Sequence, residues 1–280
     1  MLNAQKGNMY DFVTHTWNPI KGKCSHACSY CYMRQERLKP LRLEEKELKD
    51  DLGKGNFIFV GSSTDMFAED VPEGWILQVL KKCGEHDNSY LFQTKNPKRF
   101  HEFFKFFPER STFGTTIETN RSGHISKYSK APSVEERALG MKGLKSKERM
   151  LTIEPIMDFD IYELMDLIRC ICPKWVNIGA DSKRHGLPEP DLEKIFTLKE
   201  KLAEFTEVKQ KKNLSRLKDP WIKTSVSRPT DTFCKKCWGD LYTCDGECHK
   251  EFKEDDTIYC KINKHLCEKC YAIEKGKWEK

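Results

Sequence analysis

The sequence has no uninterrupted apolar run approaching the roughly 20 residues that a membrane-spanning helix needs. Its first residues, Met1-Leu2-Asn3-Ala4-Gln5-Lys6, lack the apolar stretch of a signal peptide, so a cytoplasmic protein with no membrane partner is expected. No repeat at a period of roughly 20 to 50 residues is visible beyond an alternation of strand-like and helix-like runs. Charge of one sign is not in large excess either. Lys and Arg number 49 against 43 Asp and Glu, and the net charge of +6 permits a polyanionic partner without demanding one. With 38% hydrophobic and 33% charged residues, the 280-residue chain reads as a soluble globular protein of one large domain or two ordinary ones.

What the chain has in plenty is cysteine, 13 residues in all. In a reducing compartment these point to metal or redox chemistry, not to a disulfide framework. Three lie between Cys24 and Cys31 and seven between Cys234 and Cys270. Cys83, Cys170 and Cys172 fall in helical patterns and read as small core residues.

From Phe12 to about Phe205 short β-rich runs alternate with longer amphipathic ones. Strands are expected at Phe12–Trp17, Asn56–Gly61, Ser89–Thr94, Ser111–Glu118, Arg149–Glu154 and Lys174–Ala180. Helices are expected at Leu41–Leu52, Glu73–Glu85, Pro97–Phe107, Val134–Lys145, Ile161–Cys172 and Asp191–Phe205. Ser133 with Glu136 three residues later resembles a capping box. The alternation implies an α/β fold of right-handed βαβ units on a parallel sheet, either a partial barrel or a doubly wound open sheet. This domain is assigned to residues 1–206, a Lys-rich helix end and linker to 207–231, and a cysteine-rich module to 232–280.

Cys24, Cys28 and Cys31 have the spacing C-x3-C-x2-C and follow the first strand, where a βα loop opens the C-terminal face of such a sheet. No fourth cysteine is near. A ferredoxin cluster takes four thiolates, so three leave one iron open to a substrate or cofactor. The bland alternative is a zinc knuckle. The other strands end in polar residues that would converge on the same mouth: Gly61-Ser62-Ser63-Thr64-Asp65, Gln93-Thr94-Lys95-Asn96, Thr116-Ile117-Glu118-Thr119-Asn120, Glu154-Pro155 and Gly179-Ala180-Asp181-Ser182. Asp65, Asn120 and Asp181 serve equally well as helix caps. Lys95, Glu118 and Glu154 are charges at parallel-strand ends and need partners. His15 and Trp17 read as core filling.

The Trp17-Asn18-Pro19 lead into the cysteines, Thr115-Thr116-Ile117-Glu118-Thr119-Asn120, Glu154-Pro155-Ile156 and Trp175-Val176-Asn177-Ile178-Gly179 occur in that order. Over roughly residues 10 to 190 they resemble a radical S-adenosylmethionine (SAM) family of phages and microbes, distantly similar to spore photoproduct lyase. The resemblance implies a partial (β/α)6 TIM-like barrel, a [4Fe–4S] cluster on Cys24, Cys28 and Cys31, and SAM across the strand ends. It also implies an electron donor of the flavodoxin or ferredoxin type. The usual Gly-Gly-Glu of the second strand is absent, so Gly61, Ser62, Thr64 and Asp65 are expected to take its place against SAM, with Tyr30 beside them. Glu118 is expected on the ribose hydroxyls, and Lys95 and Glu154 are the candidate catalytic side chains.

In the C-terminal module Cys234, Cys237, Cys244, Cys248, Cys260, His265, Cys267 and Cys270, with His249, offer ligands for one or two Zn2+ ions. Asp255–Tyr259 looks like a hairpin strand leading into Cys260, followed by a treble-clef or LIM-like knuckle. Auxiliary iron–sulfur clusters are the competing reading, which the interleaved histidines disfavour. Lys209, Lys211, Lys212, Arg216, Lys218, Lys223, Lys235, Lys236 and Lys250, interleaved with Trp221, Phe233, Trp238 and Tyr242, would suit nucleic acid. Two functions follow: a radical SAM enzyme acting on a nucleotide or nucleic acid, or a non-enzymatic zinc protein that binds nucleic acid.

Overall fold

The computed structural model describes residues 2–5, 9–33, 38–146 and 148–217, and the strands 222–225, 257–261 and 264–267. The chain divides into two compact units, residues 1–190 with 197–216 and residues 191–196 with 217–280. Among the described residues no helix is long and apolar enough to cross a membrane.

Ten strands belong to the first unit: β1 (Asn3–Ala4), β2 (His15–Trp17), β3 (Ile20–Lys21), β4 (Arg42–Leu43), β5 (Phe57–Val60), β6 (Ser89–Thr94), β7 (Ser111–Thr116), β8 (Arg149–Ile153), β9 (Trp175–Ile178) and β10 (Glu207–Gln210). The helices are α1 (Glu73–Gly84), α2 (Phe100–Phe103), α3 (Ser122–Ile125), α4 (Val134–Lys142), α5 (Ile161–Ile171) and α6 (Leu192–Ala203). One sheet has the order β1-β2-β5-β6-β7-β8-β9-β10. Every pair in it is parallel except β1 with β2. β7 and β9 are buried along their whole length, as expected for parallel strands covered on both faces.

The sheet is curled. Laid flat, β5 and β9 would stand four strand spacings apart, about 19 Å. Yet the Phe12 ring lies 5.0 Å from Phe57 on β5 and 5.3 Å from Trp175 on β9, centroid to centroid. Tyr10 and Val13 pack on Leu91, Met150 and Trp175 on the same concave side. Phe57 and Trp175 are the first residues of their strands, so the Tyr10–Val13 segment plugs the N-terminal end of the sheet. The C-terminal strand ends are left to line a cavity. Behind the sheet, Phe67, Phe92, Phe100, Phe107 and Phe113 form an aromatic cluster with centroids as close as 4.8 Å.

All six expected strands are present. The capping box also forms: Ser133 Oγ accepts from Glu136 N at 3.2 Å, and the Glu136 carboxylate accepts from Ser133 N at 2.8 Å.

Four expectations fail. Leu41–Leu52 is not a helix. Arg42–Leu43 pairs with Ile20–Lys21, and only the single 3-10 turn Glu47–Lys49 follows, held by Lys21 Nζ on Glu47 Oε1 at 2.7 Å. Here tertiary pairing overrides helix propensity. Pro97–Phe107 breaks into short turns around α2, because its phenylalanines serve the aromatic cluster and are weak helix formers. Cys172 is exposed and ends α5 in a left-handed conformation (φ 50°), so it is no core residue, although Cys83 is. Glu207–Gln210, read as a helix end, is the parallel edge strand β10.

The second unit contains an antiparallel sheet of β11 (Ile222–Ser225), β12 (Thr257–Lys261) and β13 (Lys264–Cys267) in that order. Ile222–Ser225 is therefore strand, not linker. The expected hairpin is present, and Cys260 stands directly opposite His265 in its register. Cys234, Cys237, Cys244, Cys248 and Cys270, with His249, Lys218, Trp221, Phe233, Lys235, Lys236, Trp238, Tyr242 and Lys250, lie outside the described residues.

Candidate active site

The cysteine loop leaves β2 and folds through two tight turns, Ala27 N donating to Cys24 O and Cys31 N to Cys28 O, each at 3.1 Å. Each interval between cysteines is thus one turn, which sets all three thiols on the wall of one cavity of about 500 Å³. Neighbouring elements hold the loop from two sides. Asn18 Oδ1 accepts from Ser63 N at 2.8 Å and from Ser62 Oγ at 3.2 Å. Thr64 Oγ1 donates to Gly22 O at 3.1 Å. The connection after α3 clasps it by Ser29 N to Tyr128 O at 2.8 Å, Lys130 N to His26 O at 2.7 Å, and Cys28 Sγ with Ser129 Oγ at 3.1 Å. Gly61 turns the chain out of β5 at φ +77°, where a Cβ would stand 3.2 Å from Thr64 O.

The polar strand ends do converge, but with divided roles. Gly61, Ser62, Thr64, Asp65, Lys95 and Glu154 line the cavity together with Tyr30 and the three cysteines. Asp65 is spoken for. Its Oδ2 accepts from His26 Nε2 at 2.9 Å, Thr94 Oγ1 at 2.9 Å and Lys95 N at 2.8 Å, and its Oδ1 from Phe67 N at 3.0 Å. Burial opposes its ionisation, but His26 and these donors outweigh that and hold its pKa below the usual carboxylate range. Asp65 is a post for the cysteine loop, with both oxygens already bonded. Asn120 and Asp181 are likewise engaged in loop bonds: Asn120 Oδ1 accepts from Asp160 N of the loop after β8, and Asp181 Oδ1 bonds to His185 Nδ1 of its own loop.

Glu118 departs most from expectation. It is 0% exposed and does not line the cavity. Its Oε1 accepts from Tyr30 OH at 2.6 Å and Lys95 Nζ at 2.8 Å, and its Oε2 from Arg137 Nη1 at 2.8 Å. A carboxylate sealed in this way has no oxygen for a ribose. Burial opposes its charge, and the Arg137 and Lys95 cations nevertheless bring its pKa down to about 2. Lys95 is equally committed, to Glu118, to Tyr30 OH at 2.7 Å and to Cys28 Sγ at 3.5 Å.

Glu154 faces the cavity across from this corner. Lys211 Nζ reaches its Oε2 at 2.6 Å and Asn213 Nδ2 its Oε1 at 2.7 Å. Lys211 also lies 4.5 Å from the Tyr10 ring centroid. Tyr10 OH bonds to Gln93 and Thr152 at 2.8 and 2.7 Å, and burial pushes its phenol pKa up. Trp17 is fully buried as expected, whereas His15 is half-buried and bonds to Thr14 Oγ1 at 3.0 Å.

The donor set fits an iron–sulfur cluster. Three cysteines line one cavity, with a hydroxyl and an ammonium within reach of Cys28 Sγ to offset thiolate charge. Without a metal, burial and the neighbouring Asp65 push the Cys24 thiol up to about 12. No three His, Cys, Asp or Glu side chains among the described residues converge on a single ion. Thiolates on three different irons do not need to. Tyr10, Arg137 and Asn213 are not singled out from the sequence, and Lys211 is named there only within a basic stretch; the need of Glu118 and Glu154 for partners calls for residues such as Arg137 and Lys211 without naming them.

A family model described as a protein of unknown function (DUF5131) matches residues 8–188. No curated protein sequence matches the chain. A spore photoproduct lyase variant with bound AdoMet and dinucleoside spore photoproduct shares the fold at TM-score 0.54 and 13% identity, over 73% of this chain and 78% of that one. Spore photoproduct lyase complexed with dinucleoside spore photoproduct does so at TM-score 0.52 and 12% identity, over 73% and 78%. At such identities the likeness is one of fold. The family match spans the cysteine loop and all the strand ends from Gly61 to Asp181, and the chain belongs to the DUF5131 family.

Proposed function

We propose that this protein is a radical SAM enzyme whose first unit is a partial (β/α)6 barrel with its active site at the C-terminal strand ends. The observation that carries the reading is the cysteine loop: three thiols, with no fourth among the described residues, on one wall of a cavity ringed by strand-end polar groups. Cys24, Cys28 and Cys31 would hold a [4Fe–4S] cluster, which when bound supplies one electron to the sulfonium of SAM and yields methionine and a 5′-deoxyadenosyl radical. Ser62, Thr64 and the backbone around Gly61 are at hand for SAM on the cysteine side. On the far side the Glu154–Lys211 pair offers both a charged acceptor and a charged donor. Tyr10 lines the cavity and packs with Val13 on Leu91, Met150 and Trp175 below it.

The substrate class we infer is nucleic acid or a nucleotide. Its support is the dinucleoside bound by the fold neighbours and the basic balance of the chain. For the second unit we propose a zinc-braced module, with Cys260 and His265 as cross-strand ligands beside Cys267.

Anaerobic reconstitution tests the whole. The expected result is a brown protein with four irons and up to two zincs per chain. Colour should be lost in Cys24→Ala, Cys28→Ala and Cys31→Ala, and 5′-deoxyadenosine should be released on reduction with SAM. A colourless protein holding only zinc would favour a non-enzymatic zinc protein instead, and eight or more irons would move the C-terminal ligands from zinc to iron–sulfur.

A further inference from the structure

Beneath the cysteine loop, two cations face one anion in a sealed corner. Glu118 and Arg137 are 0% and 1% exposed, and Arg137 also donates from Nε to Pro132 O at 2.7 Å and from Nη1 to Thr116 O at 2.9 Å. That pair by itself balances the Glu118 charge. Lys95 adds a second cation on the same carboxylate, at 2.8 Å, so the corner carries one positive charge in excess. The place where that excess is presented is fixed. Tyr30 holds the ammonium by its hydroxyl at 2.7 Å and by its ring at 4.4 Å from the centroid, and the Nζ stands 3.5 Å from Cys28 Sγ.

We propose that Lys95 is a positioning residue that fixes a positive charge and an N–H donor at Cys28 Sγ, raising the reduction potential of the cluster held by Cys24, Cys28 and Cys31. The inference rests on the iron–sulfur reading of those cysteines. Accepting one electron from a flavodoxin- or ferredoxin-type donor makes the cluster more negative. A cation held against a ligand sulfur therefore stabilises the reduced form more than the oxidised one. Little water intervenes to screen it, because the Lys95 side chain is 16% exposed. Glu118 acts in the opposite sense by partly neutralising Lys95, so the two residues have effects of opposite sign on one observable.

The test is an EPR-monitored redox titration of the reconstituted full-length chain, with dithionite as the reductant. Lys95→Met should lower the ratio of reduced to oxidised cluster at fixed poise about tenfold, a shift of about 59 mV to more negative potential for a one-electron couple. Glu118→Gln should shift it the other way, and Lys95→Arg should stay near the wild type. Should Lys95→Met fail to take up iron, Glu118→Gln decides alone: an upward shift supports the proposal, and no shift or a downward one overturns it. Met and Gln variants that load iron and move together, or not at all, also overturn it while leaving the cluster intact. A wild-type chain that takes up no iron overturns the cluster reading itself.

Discussion

Glu118 and Glu154 stand at the ends of neighbouring strands, β7 and β8, and nothing in their local sequence tells them apart. One is sealed and the other open. Glu118 is 0% exposed, with two cations and a phenol on its carboxylate. Glu154 is 18% exposed on the cavity wall, with one ammonium and one amide. The difference lies in where the partners come from. Arg137 reaches Glu118 from α4, the helix that leads into β8, and is 1% exposed. Lys211 comes from beyond β10 at the edge of the sheet, where the cavity is accessible. A strand-end carboxylate is thus sealed when a helix cation covers it and open to the cavity when only an edge residue does.

The largest effect should come from uncovering the sealed corner. Arg137→Met leaves a fully buried carboxylate with half its cationic cover, and the expected loss is about 3–5 kcal/mol in urea unfolding. Lys211→Met removes one partner of an anion that water can still reach, so about 1–3 kcal/mol is expected. Equal losses would break the contrast between the corners.

Acid should find the same difference. The folded pKa of Glu118 is lowered from 4.5 to about 2, so its contribution is fully present above the unfolded value. That contribution is lost as pH falls from about 4.5 towards 2, and at about 1.4 kcal/mol per unit it amounts to roughly 3 kcal/mol. Glu118→Gln should flatten the fall of unfolding free energy over that window. A variant whose acid limb keeps the wild-type slope would show that the carboxylate is not the group responsible.

Much of this site was legible in the sequence because its signals are local. The cysteine spacing, the capping box at Ser133 and Glu136, and six strands rich in β-branched and aromatic residues are readable within a dozen residues. What was not legible depended on choice among many equivalents. Of 49 basic residues, nothing in the sequence marks Arg137 and Lys211 as the ones turned inward. β10 reads Glu-Val-Lys-Gln, with a single apolar side chain. Its stability comes from pairing with β9 and from Lys209, whose Nζ lies 4.9 Å from the Trp175 ring centroid and 5.5 Å from that of Phe12. Glu118 was given a ligand role because a buried carboxylate and a binding carboxylate look alike until their partners are known.

The smallest predicted effect separates the corners most cleanly. Ser133 caps α4, and Arg137 lies one turn further on, donating from Nη1 to Glu118. Ser133→Ala removes one N-cap acceptor at the exposed helix start and should cost about 1 kcal/mol. It changes no residue that lines the cavity. SAM affinity measured by calorimetry on the reconstituted protein should therefore equal that of the wild type while thermal stability falls. If affinity dropped along with stability, α4 and its arginine would be transmitting strain into the cavity, and the sealed corner would belong to the binding site after all.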